Sequence, residues 1–149
     1  INHVLEILVQ VPDGYLLRFQ QDIVDWHFGD NKKMADELFN LVLKGDKTAT
    51  SYLYNKNDKL NKGFSILTNW DKTKKIILQT TKIYKTTFDN VTEEHAFKEG
   101  EKDKTLKSWK SIHKEFFSKE LLLKGIPFND NIDIICEEFK MIKYFGDKK

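Results

Sequence analysis

The order of the periodic segments constrains the fold of this chain most. Three strand-like segments follow one another with no helix between them: "TATSYLYN" (48–55), "FSILTNW" (64–70) and "KKIILQTTKIYKTTF" (74–88). Helical patterns stand before and after this group, and "NIDIICEEFKMIKYF" (131–145) ends the periodic part as a long strand. Consecutive strands oppose a doubly wound sheet, in which strands and helices alternate. We predict an α+β domain whose last strand returns to the first group, in a curved sheet or small barrel.

Capping residues indicate where the helices begin and end. Residues 30–31 are polar and precede apolar residues at helical spacing, and Gly45 supplies the left-handed residue that ends this helix. Thr92 is predicted to begin a short helix, and Thr105 to begin a longer one that runs to about Lys124.

The N-terminal region carries a weaker helical pattern, over residues 13–25. We predict that residues 1–149 form one domain with an N-terminal helical extension of about residues 1–25. The length suits one domain, and neither a repeat nor a linker-like segment divides the chain.

Charge limits the nucleic-acid contacts that the chain can make. The net charge is only +2, and Arg18 is the single arginine among 25 basic residues. Bidentate guanidinium contacts to bases or phosphates are therefore almost excluded. Any contact with nucleic acid would depend on lysine charges and on aromatic stacking.

Cysteine and histidine usage excludes other classes of site. Cys136 is the only cysteine and lies in an apolar run, so we expect a buried thiol in a reducing, cytoplasmic protein. The four histidines are far apart and no paired ligand motif occurs, so we expect no metal site. No apolar run reaches 18 residues, so we expect no membrane span.

The stretch "GDKTAT" places Lys47 and Thr50 between a helix end and a strand. A structural explanation is available, because lysine suits a helix C-terminus and threonine suits a strand. A chemical explanation is also available. If both side chains face one cavity, a desolvated Lys47 could lose its proton and accept one from the Thr50 hydroxyl, as in serine–lysine acyl transfer.

Glu99 is a candidate third member of such a site. It ends the predicted short helix, where a carboxylate is unfavourable against the helix dipole. Either Glu99 serves a purpose outside its helix, or it is a solvated surface residue.

Three stretches together resemble bacterial members of the ASCH family: "WHFGDNKKMADELFNLVLKGDKTATS", "VTEEHAFKEGEKDKTLKSWKSIHKEFFSKE" and "CEEFKMIKYF". The resemblance implies a domain similar to the PUA fold, a small β-barrel of about five to six strands flanked by helices. It also implies a cleft beside the G-x-K-x-x-T motif that binds RNA or nucleosides, with no cofactor.

One branch of the family, similar at this motif and at "TEEHAFKEG", hydrolyses the amide of N4-acylated cytidines such as N4-acetylcytidine. The resemblance implies Thr50 as nucleophile, Lys47 as its activator and Glu99 as proton donor. That branch carries an arginine two residues after the threonine, where this chain has Tyr52.

Three functions stay open at this point. The first is an amidohydrolase acting on a modified pyrimidine nucleoside, with an oxyanion held by backbone N–H groups from Gly45 to Thr48. The second is a non-catalytic RNA-binding module, with lysines and rings on the strand side (Lys56, Lys59, Lys62, Lys72, Lys74, Lys75, Tyr52, Tyr54, Trp70). The third is a metal-independent ribonuclease, which we rank last because no histidine stands near the motif.

The candidate contacts to substrate or RNA are Gly45, Thr48, Ser51, Tyr52, Phe28, Trp109 and His113. Trp109 and His113 also fit the apolar stripe of the long predicted helix, so they are equally candidates for the core.

Overall fold

The computed structural model describes residues 2–10 and 16–146. Its six strands are β1 (Asn2–Gln10), β2 (Leu16–Trp26), β3 (Ala49–Leu53), β4 (Phe64–Thr68), β5 (Lys75–Thr87) and β6 (Asp133–Phe145). Its three α-helices are α1 (Lys32–Lys44), α2 (Glu93–Glu99) and α3 (Leu106–Leu122). The consecutive strands β3, β4 and β5 confirm the α+β class.

The strands form one sheet in the order β1-β2-β4-β5-β6-β3. All neighbours are antiparallel except β2 and β4, which make a short parallel pair. The last strand, β6, lies between β5 and β3, as expected for a strand that returns to the first group. Thr50 on β3 stands opposite Glu137 on β6.

The sheet is open, so the expectation of a closed β-barrel is wrong. Within residues 2–10 and 16–146 the strand order ends at β1 on one side and β3 on the other. Closure would require these two end strands to pair, and no such pair is present among the described residues. The short parallel pair of β2 with β4 adds the β1–β2 hairpin to one side of the sheet, with Asp25 opposite Ile66 and Trp26 opposite Leu67.

The open sheet is nevertheless strongly curled. Trp26 on β2 and Tyr52 on β3 line the same cavity of about 290 Å³, although three strands separate β2 from β3. In a flat sheet these strands would lie about 19 Å apart, at about 4.8 Å per strand. The curl therefore brings the two sides of the sheet towards each other without hydrogen bonds between them.

The predicted N-terminal helix is wrong where the chain is described. β1 and β2 pair as an antiparallel hairpin from Asn2 opposite Val24 to Gln10 opposite Leu16. Nine backbone pairs along the hairpin outweigh the weak helical spacing of apolar residues, since tertiary context overrides local propensity. Part of the expected extension, residues 11–15, lies outside the described residues.

The other helix boundaries follow the predicted caps. Asn31 accepts a hydrogen bond from the Met34 N–H at the start of α1, and Gly45 ends it in the left-handed conformation. Thr92 and Thr105 cap α2 and α3 in the same way through their hydroxyls. The long helix ends at Leu122, two residues before the predicted end.

The sheet separates two apolar cores. On one face α1 packs against the sheet in a cluster of Phe28, Phe39, Val42, Leu67, Ile76, Leu78 and Phe139. On the other face α2 and α3 contribute to a cluster of Phe88, Val91, Ala96, Trp109, Phe117, Ile134 and Cys136. Cys136 is fully buried, as predicted. Every helix in the described part of the chain is too short or too polar to cross a bilayer.

Candidate functional site

A cavity of about 770 Å³ lies between α1 and α3 beside the edge strand β3. This volume is within the range of small-molecule sites, about 300–1,000 Å³. The cavity is lined by six of the residues singled out from the sequence: Phe28, Lys47, Thr50, Ser51, Glu99 and His113. The proposed amine, hydroxyl and carboxyl groups therefore share one cavity.

Lys47 is placed by the end of α1. The left-handed Gly45 turns the chain, and the backbone N–H of Lys47 donates to the Leu41 carbonyl. The Lys47 side chain is only 1% exposed. Its Nζ donates to the Glu99 carbonyl at 3.3 Å, to Glu99 Oε1 at 3.2 Å and to Glu101 Oε2 at 2.9 Å. All three protons of the ammonium are thus used within the protein.

Glu99 is buried and accepts hydrogen bonds from several elements. Its Oε2 accepts from Ser51 Oγ at 2.8 Å, from His95 Nε2 at 2.8 Å and from Trp109 Nε1 at 2.5 Å. His113 Nε2 lies 3.5 Å from its Oε1. A side chain that is 1% exposed is not a solvated surface glutamate. Its unfavourable position at a helix end is offset by donors from β3, α2 and α3.

The carboxylate also fixes the tautomer of His95. An ionised carboxylate only accepts hydrogen bonds, so the proton of His95 stands on Nε2. The other ring nitrogen, Nδ1, is buried and has no hydrogen-bond partner among the described residues.

The charges of this group are mutually dependent. Burial alone would lower the pKa of Lys47, but the charges of Glu99 and Glu101 and the hydrogen bonds to them raise it above the ordinary lysine value. Burial alone would raise the pKa of Glu99, but Lys47 and the bonds from His113 and His95 hold it well below the ordinary value. Lys47 is therefore an ammonium and Glu99 a carboxylate.

This ionisation opposes the expectation that a desolvated Lys47 gives up its proton. The Thr50 hydroxyl lies in the same cavity and is nearly buried, at 8% exposure. The three Lys47 protons, however, are directed to Glu99 and Glu101. Lys47 cannot accept the Thr50 proton in this arrangement, because it has no free lone pair.

Three of these groups have the chemistry of metal ligands. One ligand atom from each of Glu99, Glu101 and His113 lies within 4.8 Å of the others. This group was not predicted from the sequence, because its members lack the spacing of a metal-ligand motif. The Lys47 ammonium already binds both carboxylates, so a metal ion would have to compete with it.

Comparisons with known proteins identify the family of the chain. A sequence model of the ASCH domain matches residues 24–143. The chain belongs to the ASCH domain family. The ASCH domain from Lactobacillus crispatus JV V101 has a similar crystal structure, with a TM-score of 0.75 and 29% identity over 83% of this chain and 80% of that one.

A protein from Enterococcus faecalis V583 is also similar, with a TM-score of 0.71 and 27% identity over 80% of this chain and 76% of that one. No curated protein matches the chain.

Four other candidates in this ASCH domain lie outside the cavity lining. Gly45 is the helix cap, and Thr48 bonds the Lys98 carbonyl through its N–H at 2.8 Å. Tyr52 lines a second, smaller cavity. Trp109 is 3% exposed and lies behind Glu99, with its ring stacked on His113 at 4.2 Å.

Sequence reasoning missed three features of the ASCH domain site. His95 and Glu99 stand four residues apart on a predicted helix, which places them on one face, so this pair was detectable. Glu101 follows the left-handed Gly100, where helical spacing no longer applies. The third feature is the approach of His113 to Glu99, 3.5 Å from Nε2 to Oε1. His113 is a candidate contact from the sequence, but it is remote from the motif along the chain. The premise that no histidine stands near the motif is therefore wrong in the folded chain.

We predict that Lys47→Met lowers the free energy of unfolding by about 3–5 kcal/mol, because it leaves two carboxylates without their buried cation. Urea denaturation measures this loss. Lys33→Met is the matched control: Lys33 is exposed and lines the same cavity, and its loss should stay within about 0.5 kcal/mol. Equal losses for the two variants would contradict a buried ion pair.

The same pair sets a pH dependence. The folded-state pKa of Glu99 is depressed below the ordinary value of 4.5. Its contribution to the free energy of unfolding is therefore present at pH values above 4.5 and is lost as pH falls towards the folded-state pKa. The folded-state pKa of Lys47 is raised above the ordinary value of 10.5. Its contribution to stability is therefore present at pH values below 10.5 and is lost as pH rises through the folded-state pKa. The stability difference between wild type and Glu99→Gln should therefore shrink in acid. A difference that is constant from pH 7 to pH 3 would exclude an ionised Glu99.

A further prediction concerns Gly100, which has a positive φ and lies against the loop that carries Lys47. An added Cβ would stand 2.0 Å from the Asp46 carbonyl oxygen. Gly125 has a similar φ, but nothing lies within 4 Å of such a Cβ. Gly125→Ala should cost about 1–2 kcal/mol from backbone strain alone. Gly100→Ala should cost about 1–3 kcal/mol more because of overpacking, and equal losses in urea denaturation would contradict the close approach.

Proposed function

We propose that this ASCH domain binds single-stranded RNA by taking one nucleotide into the cavity between α1 and α3. The observation that carries the proposal is a ligand-sized cavity with an apolar wall, a polar floor and five lysines among its lining residues, four of them exposed. Each of these parts matches one part of a nucleotide.

The apolar wall suits a base. It consists of side chains from α1, from the segment before it and from α3: Phe28, Met34, Leu38, Leu41, Ile112 and Phe116. Base stacking on aromatic side chains contributes about 1–3 kcal/mol per base and tolerates any base. Phe116 is partly exposed, so its ring is available to a ligand.

The polar floor suits the edge of a base. The Thr50 hydroxyl can donate and accept a hydrogen bond, and it lines the cavity next to Ser51 and Glu99. Ser51 and Glu99 already bond each other, so Thr50 is the floor residue that we expect to contact the base.

The lysines suit phosphates. Lys33, Lys44, Lys102 and Lys119 line the cavity and are exposed. Exposed acidic residues, Asp30, Glu37 and Glu115, also line it. The exposed lining residues carry an excess of only one positive charge, four lysines against three acids, and the buried or partly buried Lys47, Glu99 and Glu101 cancel it. We therefore expect moderate affinity with a shallow dependence on salt.

The test is the salt dependence of binding to a fluorescent single-stranded RNA of ten nucleotides. Each lost phosphate contact should reduce the slope of log affinity against log salt by about 0.7. We expect the double variant Lys102→Gln/Lys119→Gln to reduce it by about 1.4, since both lysines line the cavity. The matched control is Lys59→Gln/Lys62→Gln, which removes two exposed lysines elsewhere. A loss confined to the control would place the RNA on the β3–β4 connection and reject the cavity.

The second candidate function is hydrolysis of an N4-acylcytidine in the same cavity. It is favoured by the shared position of Thr50, Lys47 and Glu99. Thr50 Oγ1 would attack the amide carbonyl, the amine would leave with a proton, and water would release the acyl group from Thr50. The ammonium state of Lys47 opposes this route, because Lys47 must first pass a proton to a neighbouring carboxylate.

The assay is release of cytidine and acetate from N4-acetylcytidine. If Lys47 is the base, the rate should still rise with pH above 10, because the pKa of Lys47 is raised. Thr50→Val should abolish the reaction, and Lys33→Met should leave it unchanged. We expect no turnover at pH 7, where Lys47 is charged. Turnover at pH 7 that depends on both Lys47 and Thr50 would establish the amidohydrolase instead.

A further inference from the structure

A second cavity, of about 290 Å³, is lined by residues from five of the six strands of the curled sheet, β2 to β6. β2 contributes Trp26, β3 contributes Tyr52, and β4, β5 and β6 contribute the remaining strand residues. The aromatic side chains among its lining residues are Trp26, Tyr52, Phe64 and Phe139. The faces of aromatic rings attract cations.

The polar group of this cavity is the Glu137 carboxyl. Glu137 accepts a hydrogen bond from Thr80 Oγ1 at 2.7 Å and a second from the Tyr52 hydroxyl. Burial raises its pKa above the ordinary value, and these two bonds offset the effect only in part. Among side chains in the described part of the chain, no lysine, arginine or histidine lies within ion-pair distance of Glu137.

The next residue shows the contrast. Glu138 points to the other face of β6, where it pairs with Lys98 at 3.1 Å and Lys82 at 3.7 Å. Glu138 is therefore paired with two lysines, whereas Glu137 faces an aromatic cavity and has no cationic partner among the described side chains.

We propose that this second cavity, the Tyr52–Glu137 cavity, binds a small organic cation through its alkylammonium group. The carboxylate supplies the counter-charge, and the rings of Trp26 and Tyr52 supply cation–π attraction and exclude water. An anionic ligand is disfavoured, because its charge would face Glu137. The site shares no lining residue with the cavity between α1 and α3, so the proposal stands independently of RNA binding.

The first experiment uses choline as the probe and the wild-type protein. The chain has three tryptophans, and the indole N–H of Trp26 donates to Ser65 Oγ inside the cavity. In an NMR titration, choline should shift the indole signal of Trp26 and leave that of the buried Trp109 in place. The neutral isostere 3,3-dimethylbutan-1-ol should bind at least ten-fold more weakly. No shift of Trp26 at 10 mM choline, or equal binding of the isostere, would overturn the proposal.

The second experiment compares Glu137→Gln with Glu138→Gln. The first should weaken choline binding at least ten-fold and the second should not change it, with folding of both checked by circular dichroism. Equal effects of the two variants would overturn the proposal. If Glu137→Gln does not fold, Tyr52→Ala takes its place and should weaken binding in the same way.

Putrescine and Nα-acetyl-lysine methylamide, titrated in parallel, distinguish a free amine from a lysine side chain as the natural source of the group.

Discussion

The buried ion pair between Lys47 and Glu99 is the interaction on which the site depends. It joins the loop that follows α1 to the last residue of α2, over a sequence separation of 52. Neither group is stable alone in this environment, because an unpaired buried charge is strongly destabilising. The pair therefore fixes the relative position of two helix ends that pack on opposite faces of the sheet.

Backbone contacts hold this pair at a constant distance. The Thr48 N–H donates to the Lys98 carbonyl, and the Thr48 carbonyl accepts from the Phe139 N–H. Gly100 lies against Asp46 so closely that no side chain fits between them. The loop from Asp46 to Thr48 is thus bound both to α2 and to β6. Backbone contacts therefore hold the floor of the cavity in place.

Local signals in the sequence predicted the elements that depend on local chemistry. The caps at Asn31, Thr92 and Thr105 each need only one hydroxyl or amide next to a helix start, so spacing revealed them. The N-terminal hairpin and the open sheet depend on pairing between distant strands, which periodicity within one segment does not report. The barrel expectation failed because the end strands β1 and β3 do not pair with each other in the described part of the chain.

The candidate site was likewise predictable in its local features and not in those that depend on contacts between distant residues. The presence of Lys47, Thr50 and Glu99 in one cavity was predictable from the motif and from the unusual position of Glu99. Their ionisation was not. It is set first by the effect of Lys47 and Glu99 on each other, and then by Glu101, His113 and His95, which come from three different positions in the chain. A pKa depends on distances between groups, and spacing along the sequence does not give these distances.

The full use of the Lys47 protons has a consequence for how the cavity discriminates among ligands. A guest that bonds to this ammonium must displace Glu99 or Glu101, so one contact is exchanged for another and little enthalpy is gained. At this floor the affinity of a ligand would depend mainly on its shape and stacking, and a ligand that needs an unpaired cation would bind weakly. Strongly anionic groups would then be excluded from the bottom of the cavity, where Lys47 is already paired. The same groups could still bind at the entrance, where the lysines are exposed.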